Sequence, residues 1–260
     1  MNKKFGRVLK IGVNSYVNNL PLKCAFGKKE LSFEYELDFD NPASLSKKCE
    51  KNLLDISSIS LWRYPYFAKN YELLPEFCIS AKGAVKSVKI FSKYKIEGLG
   101  DKEIFITSES GSSSSALRYY FKKRFNKDIF ENKAHDILTA GCVFLIGDNA
   151  LKFDASMYDY VYDFGELWED FFKTPIVYAG IVVRRELADS LRKELIDFCD
   201  FSLNEFNVNR DYYYDYALQI LANSAMSKKD IKEYFEKLEY KIPQEHFDKT
   251  LEMASENGNF

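Results

Sequence analysis

The feature that most constrains this chain is the order in which short apolar runs and amphipathic helical patterns follow one another. "VLKIGVN" (8–14) reads as a buried strand, "LPLKCAF" (20–26) as the helix after it, and "LSFEYELDF" (31–39) as a strand covered on one face, because apolar and polar residues alternate along it. Pro42 opens a helix running to Leu53, and "LLDISSIS" (53–60) is a further strand leading into the aromatic segment "LWRYPYFA". "EFCIS" and "VKSVKIFS" add strands before a middle block that begins near Tyr94. There "KEIFIT" ends at Thr107 and passes through "GSSSS" into the helix "ALRYYFKKRF", after which come the strand "CVFLIG" (142–147), "DYVYDFGELWEDFF" and "TPIVYAGIVV" (174–183). From Arg184 onward the pattern is helical, with Ser227 capping "KKDIKEYFEKLEY" and Pro243 starting a last helix. Two blocks of alternating strands and helices with a helical return predict an α/β fold of two lobes, each with a mostly parallel sheet. The expected lobes are 1–92 with 180–260, and 93–179.

Bulk properties remove several classes of function. With 260 residues the chain can bury one large or two small cores, and 46% hydrophobic against 29% charged residues is globular composition. A net charge of −2 provides no field for a polyanion, so no nucleic acid is expected, and the basic "FKKRF" (121–125) reads as a solvated helix face. No run is long enough to span a bilayer, so no membrane is expected. The N-terminus lacks an apolar signal core and reads as the first strand of a cytoplasmic protein. The five cysteines are scattered, without paired spacing, and read as buried free thiols rather than disulfides or a zinc site. His135 and His246 read as structural, and no feature specifies an oligomeric state.

In α/β sheets ligands lie beyond the carboxyl ends of the strands. The turns there are "NSYVNNLP" (14–21), "SSIS" (57–60), Thr107 with the serine run, and "GDNA" (147–150), all rich in Ser, Asn, Gly and Asp and devoid of Arg and His. Each alone is ordinary turn and cap chemistry; four together predict a small-molecule cleft. In the serine run, Gly111 permits close backbone approach, while the serines leave amides and hydroxyls at the positive end of a helix. That is an anion cradle without the lysine of a nucleotide-binding loop, so a carboxylate is the expected guest.

The motifs "SYVNNLPL", "LLPEFCIS", "GAVKSVKIFSK", "TSESGSSS", "LIGDNAL" and "YDFGELWEDFFKTPIVYAGIVVRRE" stand in the order found in chorismate dehydratases of the futalosine route to menaquinone, and the stretch from Ile11 to Glu186 resembles that family. The resemblance implies a type II periplasmic-binding-protein-like fold with a cleft between the lobes. It also implies a hydro-lyase converting chorismate into 3-[(1-carboxyvinyl)oxy]benzoate, with no metal or organic cofactor. By position, Asn18 matches an asparagine of the family's first motif and Ser15 replaces another; Ser60 matches a serine of the third-strand turn, where Leu61 and Trp62 depart from the pattern. Ser87, Ser110, Ser112, Ser113 and Asp148 match family positions, Gly111 replaces an alanine, and Thr107 and Gly147 stand within the same motifs. The expected catalytic residues are Asn18 and Asp148, the others binding substrate. Asp148 as base, Asp148 as a helix cap, and the substrate's own enolpyruvyl carboxylate as base all remain open on this reading. The rival class is a cytoplasmic solute-binding module that closes on a small carboxylate without transforming it.

Overall fold

The computed structural model describes residues 5–110, 113–132, 137, 139–222 and 224–256. The first block builds β1 (Leu9–Asn14), α1 (Leu20–Lys23), β2 (Tyr35–Asp40), α2 (Pro42–Glu50), β3 (Ile56–Ser60) and the long β4 (Tyr71–Ala81). The second builds β5 (Val88–Ser92), β6 (Glu103–Ile106), α3 (Ser113–Phe125), β7 (Phe130–Asn132), β8 (Cys142–Ile146), α4 (Gly147–Lys152), β9 (Tyr160–Asp163) and α5 (Phe164–Phe172). The chain then returns through β10 (Ile176–Arg184), α6 (Arg185–Val208), α7 (Arg210–Ile220), α8 (Lys228–Glu236), β11 (Leu238–Lys241) and α9 (Gln244–Glu256).

Two sheets result, ordered β11-β4-β10-β3-β1-β2 and β7-β6-β8-β5-β9. Both are mixed rather than mostly parallel: β1 pairs parallel with β2 and β3, but β10 runs antiparallel between β3 and β4. In the second sheet β6 is parallel to β7 and β8, whereas β5 is antiparallel to β8 and β9. The reason is connectivity. β4 leaves the first lobe and β10 returns to it, so the two strands bridging the lobes run in opposite directions. β5 already pairs in the second sheet and β10 in the first, so boundaries at 92/93 and 179/180 would fall at a strand's end and inside a strand. The crossovers lie in 82–87 and 173–175.

Local chemistry accounts for the main elements. α2 begins at Pro42 after Asn41, whose side chain accepts from the Ser44 amide, and packs so closely on β1 that a Cβ at Gly12 would lie 2.9 Å from Leu45 Cδ2. α8 carries a full capping box between Ser227 and Asp230 but stops at Glu236, and the "LEY" expected to prolong it belongs to the edge strand β11. The helix expected over 20–26 is confined to Leu20–Lys23. β1, β3 and β10 share an apolar core with α6 through Ile11, Val13, Ile56, Ile181, Val183, Leu187, Leu191 and Leu195. In the second lobe Leu117, Tyr120 and Phe121 of α3 join Phe144, Phe164 and Trp168. Between the lobes Trp62 meets Trp168 edge-on, with ring centroids 5.7 Å apart, and Tyr119 at the same separation.

Candidate ligand cleft

Strand ends of both sheets converge on one cavity of about 40 Å³. From the first lobe come Asn14, Tyr16 and Asn18 after β1, Pro42, Ser60 at the end of β3, Ile79 of β4, and Tyr178 and Ala179 of β10. The facing wall is Val85, Ser87 and Val88 from the crossover and β5, Ser113 at the start of α3, and Ile146 with Gly147 at the end of β8. No Asp, Glu, His, Lys or Arg is among these lining residues.

The loop after β1 is held from beneath. Lys23 donates through Nζ to the carbonyls of Asn14, Ser15 and Tyr16 at 3.1, 3.0 and 3.2 Å, which fixes three successive peptides. Burial pushes the Lys23 ammonium down to about 8, against the opposing pull of Asp148. Asn14 Nδ2 donates to Asn18 Oδ1 at 3.4 Å, and the Asn18 carbonyl accepts from Tyr240 at 2.9 Å. Gly147 donates its amide to the Ser87 carbonyl at 2.7 Å and has a φ of 58°. A Cβ there would stand 2.7 Å from the Tyr16 ring, so only glycine lets the two lobes approach at this point.

Two polar contacts close the lobes over the cavity. Tyr16 donates its hydroxyl to Glu109 Oε2 at 2.9 Å, and that oxygen also accepts from Asn149 at 2.9 Å. Val17 donates its amide to Asp148 Oδ1 at 3.1 Å. Burial raises the Asp148 carboxyl above its ordinary value, while the Val17 amide, Lys152 and Lys23 pull the other way. Burial and the neighbouring Glu109 hold Tyr16 protonated.

Asn18, Ser60, Ser87, Ser113 and Gly147 thus meet in one place. Asp148 stands beside them in the first turn of α4, bonded across the lobes rather than capping its own helix. Ser15 is exposed and outside the lining. Thr107 and Ser110 bond one another, oxygen to oxygen at 2.8 Å, and neither is among the lining residues. Gly111, Ser112 and His135 lie outside the described residues. Leu61 packs in the core beside Phe247 and Trp62 in the aromatic cluster, so neither lines the cavity. Sequence reasoning missed Asn14, Tyr16 and Tyr178. The first two sit in the turn it singled out, whereas Tyr178 lies mid-strand in an apolar run with nothing local to mark it.

A sequence profile of the family described as "Menaquinone biosynthesis" matches residues 9–255. The chain belongs to this menaquinone-biosynthesis family. A chorismate dehydratase from Thermus thermophilus is 28% identical over 164 residues, 56% of this chain and 60% of that protein, so the match spans less than two thirds of that relative. An Archaeoglobus fulgidus crystal structure superposes with a TM-score of 0.74 at 16% identity, covering 96% of each chain. A Candida albicans protein described as having the generic periplasmic binding protein fold gives 0.63 at 13% identity over 98% of this chain and 91% of its own. The aliphatic sulphonate binding protein SsuA from Escherichia coli gives 0.63 at 11%, covering 96% and 92%. The fold of this family member is therefore the two-lobed periplasmic-binding-protein type, with the cavity where the lobes meet.

Proposed function

We propose that the protein is a chorismate dehydratase, a cytoplasmic hydro-lyase of menaquinone biosynthesis forming 3-[(1-carboxyvinyl)oxy]benzoate. The observation that carries this reading is the convergence of Asn18, Ser60, Ser87, Ser113 and Gly147, drawn from both lobes, on one cavity. In the reaction the C3–H and C4–O bonds break, the C3–C4 bond becomes double, and the ring becomes aromatic as water leaves. The C3 proton is vinylogous to the ring carboxylate, so hydrogen bonds to that carboxylate stabilise the enolate-like charge that builds as the proton departs. Ser87, Ser113 and the Asn18 amide supply such donors. Because the product is aromatic, the enzyme need supply mainly orientation and a modest base.

The absence of an acid or base among the described lining residues favours the substrate's own enolpyruvyl carboxylate as that base. It takes the C3 proton and passes it to the departing hydroxyl, which leaves as water. Asp148 then acts as a positioning residue, holding the Val17 amide and so the loop that carries Asn18. The cavity is too small for a ring bearing two carboxylate groups, so the lobes part to admit substrate and reclose, with the crossovers as hinges.

The same lining also suits the second reading, a module that binds a carboxylate unchanged. Purified protein mixed with chorismate and followed by ultraviolet absorbance separates the two. Loss of the diene with appearance of an enolpyruvyl-benzoate is the expected result; tight binding of unchanged chorismate would establish the module instead.

A further inference from the structure

Two buried hydroxyl groups, one in the cleft wall and one near it, have no hydrogen-bond partner among the described residues. Tyr178 lies on β10 where its pairing with β4 slips: Val177 faces Ser80 and Ala179 faces Ile79, so Tyr178 is the extra residue of a bulge. A bulge breaks the alternation of a strand and re-aims the side chain it carries. Here it puts Tyr178 in the cavity wall, and Ser60 pins the bulge by donating from Oγ to the Tyr178 carbonyl at 3.3 Å. The Tyr178 hydroxyl is shielded from solvent and makes no hydrogen bond among the described residues. Tyr234 of α8 brings a second buried hydroxyl toward Ser87 and Asn18 without completing a bond to either. Burial, with Asp163 and Tyr234 nearby, keeps Tyr178 protonated far beyond neutral pH, so its oxygen is a standing donor.

An unpaired buried hydroxyl is destabilising in the free protein, and one that faces a cleft is placed for a ligand to complete. We propose that Tyr178 is a ligand-binding residue whose hydroxyl donates to an oxygen of a small ring carboxylate held between the lobes, with the Tyr234 hydroxyl beside it as a second donor. The proposal rests on the reading of the cleft as a chorismate site, and it deepens that reading. With no arginine or lysine in the described lining, phenol hydroxyls supply the charge-assisted bonds that a cation would otherwise make.

The test compares wild type with Tyr178→Phe, which keeps the ring and deletes the oxygen. Turnover of chorismate, calorimetric affinity for 3-hydroxybenzoate and the melting temperature are measured for both, with Tyr234→Phe alongside. In Tyr178→Phe the KM for chorismate and the Kd for 3-hydroxybenzoate should rise about tenfold, while the melting temperature stays level or rises, because an idle polar group has gone. A merely structural tyrosine would lower the melting temperature and leave affinity untouched, and equal affinities in wild type and variant overturn the proposal. Should wild type ignore chorismate yet bind 3-hydroxybenzoate through Tyr178, the dehydratase reading falls and the binding role stands. No binding of either probe by wild type overturns both.

Discussion

Asn18 meets the cavity with an amide whose oxygen already accepts from Asn14, which leaves its NH2 group to serve a ligand. On the dehydratase reading, Asn18→Ala should lower kcat by more than tenfold, about 1.4 kcal/mol or more of transition-state stabilisation. Single-turnover kinetics beside a melting curve check this; near-wild-type turnover in a folded variant removes Asn18 from the chemistry. Lys23 acts one step back, holding the loop's carbonyls with an ammonium depressed to about 8. Above that pH the amine has two N–H groups for three carbonyls, so the loop loosens and KM should climb. Stability should move the other way. The folded pKa lies below the unfolded value of about 10.4, so the cost of burying the charge is relieved as pH rises from about 8 toward 10.4. A pH profile of KM against one of melting temperature separates the two, and Lys23→Met should abolish the alkaline limb of the first.

Among the elements, the junction of crossover and helix is tied by one carboxylate. Asp163 accepts from Val85 and Gly165 through Oδ1, at 2.9 Å each, and from Lys86 through Oδ2 at 2.6 Å, joining the outgoing crossover to the first turn of α5. Asp163→Ala strands three amides and should cost at least about 2 kcal/mol, read as a lowered midpoint of denaturant unfolding. Capping of this kind was partly legible in the sequence. Ser227 and Pro243 announce α8 and α9 because the signal lies within a few residues of the effect. β11 and the bulge at Tyr178 were not legible, since each exists only through pairing with β4, far away in sequence. The site divides the same way. Strand ends located the cleft, but which residue of a turn faces inward is decided by the opposing lobe. Hence Asn14 is buried where Ser15 was expected, and Thr107 spends its hydroxyl on Ser110.

For the molecule as a whole, the balance between parted and closed lobes rests on contacts that include Val17 to Asp148 and, from α3 to α9, Tyr119 and Lys123 to Glu256. Beside the aromatic packing of Trp62 on Trp168 and Tyr119, the Tyr16–Glu109 bond crosses the cleft and deletes cleanly. Tyr16→Phe should shift the free protein toward the parted form, seen as a larger radius of gyration in small-angle scattering. Ligand should restore the compact value at a higher concentration than wild type requires, because closure then draws on binding energy alone. Identical scattering curves for variant and wild type would show that the bond does not govern the opening.

β10 sits between β3 and β4, and β11 completes the far edge, so the first sheet is assembled from segments far apart along the chain. The second sheet is one uninterrupted stretch, from Val88 to the end of β9 at Asp163. A chain leaving the ribosome from its N-terminus therefore has all the strands of the second sheet before it can join β3 to β4. The part made first is finished last. Until Ile176–Arg184 emerges, the edges of β3 and β4 lack their shared neighbour, and backbone groups left unpaired there are open to pairing with the wrong strand.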